Sequence, residues 1–164
     1  MKIRWRPALA ALAIGFAVPV VAQEKAATPA APNPFQALPA NPSLVQQVEA
    51  TNLKFDEACN KHDREALEAL FTANATHVSP EGTFIGRDAI GKFYGDLFHR
   101  RNLSGRVTKI NYVYTFGGDL CALGGWIDTI HGSRQAGGFL INAYTRVGNT
   151  WKIRTSVFNY TTGP

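Results

Sequence analysis

Four strand-length runs follow one another between residues 106 and 160, and nothing else in the chain restricts its fold so much. They cover residues 106–116, 120–130, 137–147 and 150–160. Gly117-Gly118 and Gly148-Asn149 separate two of the pairs, and both dipeptides suit two-residue hairpin turns. A loop around His131 to Arg134 joins the middle pair. Strands joined this tightly pair antiparallel, because a parallel partner needs a long crossover. Gly124, Gly125, Gly137 and Gly138 fall within or at the start of these runs, where glycines mark bends that curl a sheet.

Ahead of the strands the pattern is helical. Ser43 to Gln46 reads as a capping box that opens a first helix. Val45, Val48, Phe55 and Cys59 then share a face, interrupted by Asn52. The run Asn60-Lys61-His62-Asp63 breaks this helix, and Asp63 caps a short second one with Ala66, Leu67, Leu70 and Phe71 turned inward. Residues 75–79 and 83–85 are short strands around the turn Pro80-Glu81-Gly82. A third helix starts near Arg87, with Asp88 favourable against its N-terminal dipole. Its Ile90, Phe93, Tyr94, Leu97 and Phe98 repeat at helical spacing without a miss. Gly91 and Gly95 lie one turn apart on another face, each costing about 1 kcal/mol relative to alanine. Either another element packs very close there or the helix is simply weaker. The expected class is α+β: about three N-terminal helices packed on the concave face of a curled antiparallel sheet.

The N-terminus reads differently. Lys2, Arg4 and Arg6 precede Ala8 to Ala22, an uncharged run of 15 residues ending in Val20-Val21-Ala22. Small residues there predict a secretory signal over residues 1–22, cleaved before Gln23. The run is shorter than the roughly 17 residues that span a bilayer, so no stable membrane anchor is expected. Residues 23–42 hold six alanines and five prolines and too few large apolar side chains for a core. They are expected to be a disordered tether, followed by one domain over residues 43–164. The protein is therefore predicted to be periplasmic or secreted. Removing the signal lowers the net charge of the 164-residue chain from +5 to +2. The remaining positive charges are scattered apart from Arg100-Arg101, which argues against nucleic acid as a partner.

Few polar residues are placed to carry chemistry. His77 and Ser79 share one face of their strand, and Trp126 and Asp128 share another, because strand side chains alternate. Asn142 and Tyr144 also share a face. A two-residue turn at Gly148-Asn149 sets Tyr144 opposite Ile153, whereas a three-residue loop turns Phe139, Ile141 and Ala143 to that side instead. Asp128, buried beside Trp126, either works as an acid or base with His77, or caps a loop or pairs with an arginine while His77 hydrogen-bonds on the surface. Asn52 needs a partner wherever it is buried: ligand, water or backbone. Cys59 and Cys121 form either a disulfide, as an oxidising compartment permits, or two small core side chains. His62, His77, His99 and His131 show no metal-ligand spacing and no phosphate loop follows a strand, so no metal and no cofactor is expected.

Several strings in order resemble the SnoaL-like and ketosteroid-isomerase-like cone fold, also called nuclear transport factor 2-like. They are Asn60-Lys61-His62-Asp63, Leu67 to Phe71, Asn74-Ala75-Thr76, Pro80-Glu81-Gly82, Gly86 to Ile90 and Asn149 to Ile153. The likeness runs from about Leu44 to Tyr160. It implies a cone-shaped pocket, with Phe93 and Tyr94 as a wall pair and Tyr160 where a wall tryptophan would stand. It also implies a homodimer through the open side of the sheet. The isomerase base falls on Ser79 and the oxyanion tyrosine on Phe55, and residues 137–147 hold no carboxyl group, so isomerisation is not expected. Three functions remain: binding of a small apolar or amphipathic molecule, a cyclase, dehydratase or hydrolase using Asp128 and His77, and a non-catalytic homo-oligomerisation module. The residues expected to line a pocket are Asn52, Phe55, Ser79, Phe93, Tyr94, Trp126, Asp128, Asn142, Tyr144 and Tyr160.

Overall fold

The computed structural model describes residues 38–161. The predicted signal and the tether up to residue 37 lie outside them. In chain order the elements are β1 (Leu38–Pro39), α1 (Pro42–Lys61), α2 (Arg64–Glu68), β2 (Phe71–Ser79), β3 (Gly82–Ile85), α3 (Arg87–Arg101), β4 (Leu103–Phe116), β5 (Asp119–Ile130), β6 (Arg134–Val147) and β7 (Thr150–Phe158). The last residues assigned to the tether belong to the domain. Leu38 and Pro39 pair with Thr115 and Tyr114 of β4, and the Ala40 N–H donates to the Val113 carbonyl at 2.9 Å.

Strands β4 to β7 form the expected meander, with two-residue turns between Phe116 and Asp119 and between Val147 and Thr150. The sheet is nevertheless mixed. β2 lies parallel to β7, which gives the order β1-β4-β5-β6-β7-β2-β3. Helix α3 and the whole meander separate these two strands, so no hairpin dictates their relative direction. The sheet curls where the glycines stand. A Cβ on Gly124 would lie 2.3 Å from the Lys109 carbonyl oxygen, beside the bulge between Ile110 and Tyr112. One on Gly138 would lie 1.8 Å from the Asn159 oxygen. Only a residue without a side chain lets the strands approach so closely.

The helices fill the concave side. α1 opens at Asn41, whose side chain accepts from the Leu44 N–H at 3.0 Å, and not at Ser43 as the capping-box pattern suggests. Pro42 supplies the helix start, since proline's fixed φ and missing N–H suit the first helical turn. Asp63 caps α2 as expected, accepting from the Ala66 N–H at 2.9 Å. α2 stops at Glu68, so Phe71 belongs to β2, which starts four residues earlier than its alternation suggests. Ile90, Phe93, Tyr94, Leu97 and Phe98 of α3 are all buried. The glycine face of α3 meets α2: a Cβ on Gly91 would overlap the Glu68 side chain. Among the described residues no helix is long and apolar enough to cross a membrane.

Candidate functional site

The site is built by the inward-facing residues of β4 to β7 and the overlying helix α1. The short turn at Gly148-Asn149 sets Tyr144 opposite Ile153. That register turns Asn142 and Tyr144 inward and leaves Phe139 and Ile141 exposed on the other face. A bulge after Ala143 keeps Asn142 level with Ser156, and both are buried.

At the centre sits Arg106 of β4, buried and enclosed by charge and rings. Its Nη1 donates to Asp128 Oδ2 of β5 at 3.0 Å, and its Nε lies 3.6 Å from Asp56 Oδ1 of α1. Asp56 is fixed in turn by the Thr108 N–H and hydroxyl, which both donate to it at 2.7 Å. The guanidinium stands 4.7 Å from the Trp126 ring centre and 5.3 Å from that of Phe55, a cation–π arrangement. Burial works against this charge, yet the carboxylates of Asp128 and Asp56 hold Arg106 protonated, above its ordinary pKa. Burial also raises the pKa of Asp128, while Arg106 pulls it the other way.

Two small hollows of about 10 Å³ each flank Arg106. Each has roughly the room of one water molecule. The first is lined by Leu97, Arg101, Trp126, Asp128 and Tyr160 among others, the second by Asn52, Phe55, Thr108, Asn142 and Ser156. Tyr94, Arg106 and Phe158 border both. Trp126 Nε1, Asp128 Oδ1, Asn142 Oδ1 and Arg106 Nε are buried without a hydrogen-bond partner, and all four residues line a hollow. His77 Nδ1 is likewise without a hydrogen-bond partner but lines neither hollow. Larger hollows lie outside the cone, one of about 410 Å³ between α1 and α2.

The sequence-predicted residues divide accordingly. Asn52, Phe55, Tyr94, Trp126, Asp128, Asn142 and Tyr160 line the hollows. Tyr144 does not; its hydroxyl accepts from Asn52 Nδ2 at 2.8 Å and from Asn142 Nδ2 at 3.2 Å, one layer behind. Phe93 stacks on Phe84 with ring centres 4.3 Å apart and forms core, not pocket wall. Ser79 holds the β2–β3 turn, its hydroxyl accepting from the Glu81 N–H at 3.2 Å. His77 is buried among Phe84, Phe93, Tyr94 and Phe158, with only a long 3.5 Å contact to the Tyr94 hydroxyl. Burial, reinforced by the Arg106 charge, pushes its pKa down to about 3, so the ring is neutral. It lines neither hollow, whereas Asp128 lines the first and is tied to Arg106. The expected acid–base pair therefore does not meet in a common cavity.

Of the two alternatives for the cysteines, the structure has the unbridged one: Cys59 and Cys121 are both free. Cys59 is buried on α1, on the concave side, and burial raises its pKa to about 12. Cys121 alternates with the inward-facing Leu120 and Ala122 and so faces the opposite side of the sheet. Among the described residues no group of three His, Cys, Asp or Glu side chains is placed to hold a metal.

Sequence reasoning missed Arg106, Asp56 and Thr108. One signal was there: Asn52 and Asp56 stand one turn apart on the buried stripe of α1, and two such polar residues demand partners. It also missed a triangle at the mouth of the first hollow. Arg101 of α3 donates through Nη1 to the Tyr160 hydroxyl at 2.7 Å and through Nη2 to Glu81 Oε1 at 2.9 Å, and Tyr160 donates to the same Glu81 oxygen at 2.9 Å.

Helices lodged in a curled, unclosed sheet around a small polar centre define a protein of the nuclear transport factor 2-like class. A model of the SnoaL-like domain matches residues 53–154, and the chain belongs to that family. Solved structures agree. One is a nuclear transport factor 2-like superfamily protein from Salmonella enterica serovar Typhimurium (18% identity, 76% of this chain and 95% of that one, TM-score 0.65). Another is a ketosteroid isomerase-like protein from Erwinia carotovora atroseptica (15% identity, 75% and 100%, TM-score 0.64). A third is a protein of unknown function with a cystatin-like fold from Nostoc punctiforme (8% identity, 77% and 97%, TM-score 0.66). At such identities the likeness shows the fold alone. No curated protein sequence matches the chain. The fold is one that commonly binds small molecules, and what any one member does is decided by its site.

Proposed function

We propose that the mature domain binds one small amphipathic organic molecule inside the cone and does so as an exported homodimer. The observation that most supports binding is the set of buried polar groups on Trp126, Asp128 and Asn142, beside the ion-paired Arg106, in the walls of the two hollows. Each hollow has room for about one water able to bond to these groups, and a guest bearing donors and acceptors could take its place. A guest lying against Leu97 and Phe158 in the first hollow would come within reach of Trp126 and Asp128. The hollows as they stand admit only water, so binding requires the mouth of the cone to open. The homodimer reading is supported by the apolar outer face of the sheet, where Val107, Ile127, Phe139, Ile141 and Val157 are exposed. Export rests on the charge and apolar pattern of residues 1–22. Native mass spectrometry of the purified mature protein tests the proposal. The expected species is a dimer that releases a small organic molecule on denaturation; a bare monomer contradicts it.

A second reading keeps Asp128 and drops His77. Asp128 and Trp126 both line the first hollow, which has room for about one water, and burial raises the Asp128 pKa. Water held there would be activated for hydrolysis. The retained molecule separates the two readings: a binder returns it unchanged after incubation, a hydrolase converts it.

A further inference from the structure

The triangle of Glu81, Arg101 and Tyr160 carries more than closure of the cone. Three chain segments meet there: the β2–β3 turn, the last turn of α3 and the residues after β7. Two donors, Arg101 Nη2 and the Tyr160 hydroxyl, converge on one carboxylate oxygen of Glu81, each at 2.9 Å. The guanidinium also lies 5.3 Å from the Tyr160 ring centre, so its plane is braced as well as bonded. Arg101 and Tyr160 line the first hollow, in company with Trp126 and Asp128; Glu81 does not. The donors therefore belong to the wall of the cone, while the acceptor comes from outside it, on a turn.

We propose that Arg101 and Tyr160 are a carboxylate seat for the ligand, and that Glu81 fills this seat as the chain's own stand-in until a small amphipathic organic acid displaces it. The inference rests on the cone-binding reading above and names the ligand class. Arginine with a convergent hydroxyl is suited to a planar carboxylate. The side chains of Arg101 and Glu81 are 18% and 20% exposed, so the pair can be reached from solvent. Glu81 follows Pro80 in a turn outside the strands, so its release disturbs no ladder hydrogen bond. Once Glu81 swings out, the body of the acid would extend past Leu97 and Ala136 toward Trp126.

Isothermal titration with benzoate and with its uncharged analogue benzamide tests this on the wild-type protein and on Glu81→Ala. Emptying the seat is expected to tighten benzoate binding at least tenfold and to change benzamide binding less than twofold. Adding Tyr160→Phe to Glu81→Ala should remove most of the gain. Equal improvement of both probes would mean that Glu81 merely blocks the mouth, and would overturn the seat while leaving cone binding intact. Unchanged benzoate affinity would do the same. Failure of both probes to bind either protein would overturn the seat together with the binding reading.

Discussion

Asp128 and Ile127 are neighbours in the chain and opposite in circumstance. Asp128 is 5% exposed and bound to a buried arginine; Ile127 is 51% exposed, on the outer face with Val107, Phe139 and Ile141. The inner face is the apolar core, with Leu120, Leu140, Ile153 and Phe158 buried, and a few charged and polar groups are set into it; the outer face exposes branched aliphatic and aromatic side chains. Each face lacks what it would need in isolation. The inner one lacks hydrogen-bond partners, the outer one lacks cover. That difference is why the inside is read as a site for a small molecule and the outside as a site for a second chain.

The largest effect expected from breaking this contrast comes from its centre. Arg106→Met leaves Asp56 and Asp128 buried without their cation and should cost about 3–5 kcal/mol of stability, read as a lower urea midpoint. Next is a pH effect on the same side. Burial, reinforced by the Arg106 charge, pushes the His77 pKa down to about 3 in the folded protein against 6.5 for an unperturbed histidine. As pH falls below 6.5 the unfolded chain takes up this proton first, so the folded state loses stability down to about pH 3. Between pH 7 and 4.5 the loss from this group is about 3 kcal/mol. Asp128, with its raised pKa, works in the opposite direction and softens the slope. His77→Leu should remove the histidine contribution, as urea unfolding at the two pH values would show.

The outer face is tested by charge. Ile127→Lys with Phe139→Lys should raise the dimer dissociation constant at least tenfold in analytical ultracentrifugation, while leaving the unfolding of the monomer nearly unchanged, since both side chains are exposed. The smallest effect lies outside both faces. Asn41→Ala removes the α1 cap and should cost about 1 kcal/mol in the same urea assay.

What could be foreseen follows the range of the interactions. The meander, the Gly148-Asn149 turn and the buried face of α3 depend on residues close in sequence, so alternation and helical spacing revealed them. The helix start moved from Ser43 to Asn41 because two competing caps stand two residues apart and only tertiary context, including the pairing of Leu38 and Pro39 with β4, selects one. The Asp56–Arg106–Asp128 cluster joins a helix to two strands, with Asp56 and Thr108 separated by 52 residues. No local pattern announces such a contact. The same holds for Glu81, Arg101 and Tyr160. His77 was misread for a different reason: a histidine on a strand face looks the same in sequence whether it meets a carboxylate or a ring of phenylalanines.

The central claim, that the inner face is the ligand site, is tested most directly by fluorine NMR of protein labelled with 5-fluorotryptophan. Trp126 lies at the hollow and Trp151 outside the cone, hydrogen-bonded to Gln47 on α1 at 3.1 Å. Benzoate or benzyl alcohol should shift the Trp126 signal, assigned through Trp126→Phe, and leave that of Trp151 in place. Saturating amounts of both probes with no movement of Trp126 would contradict the account.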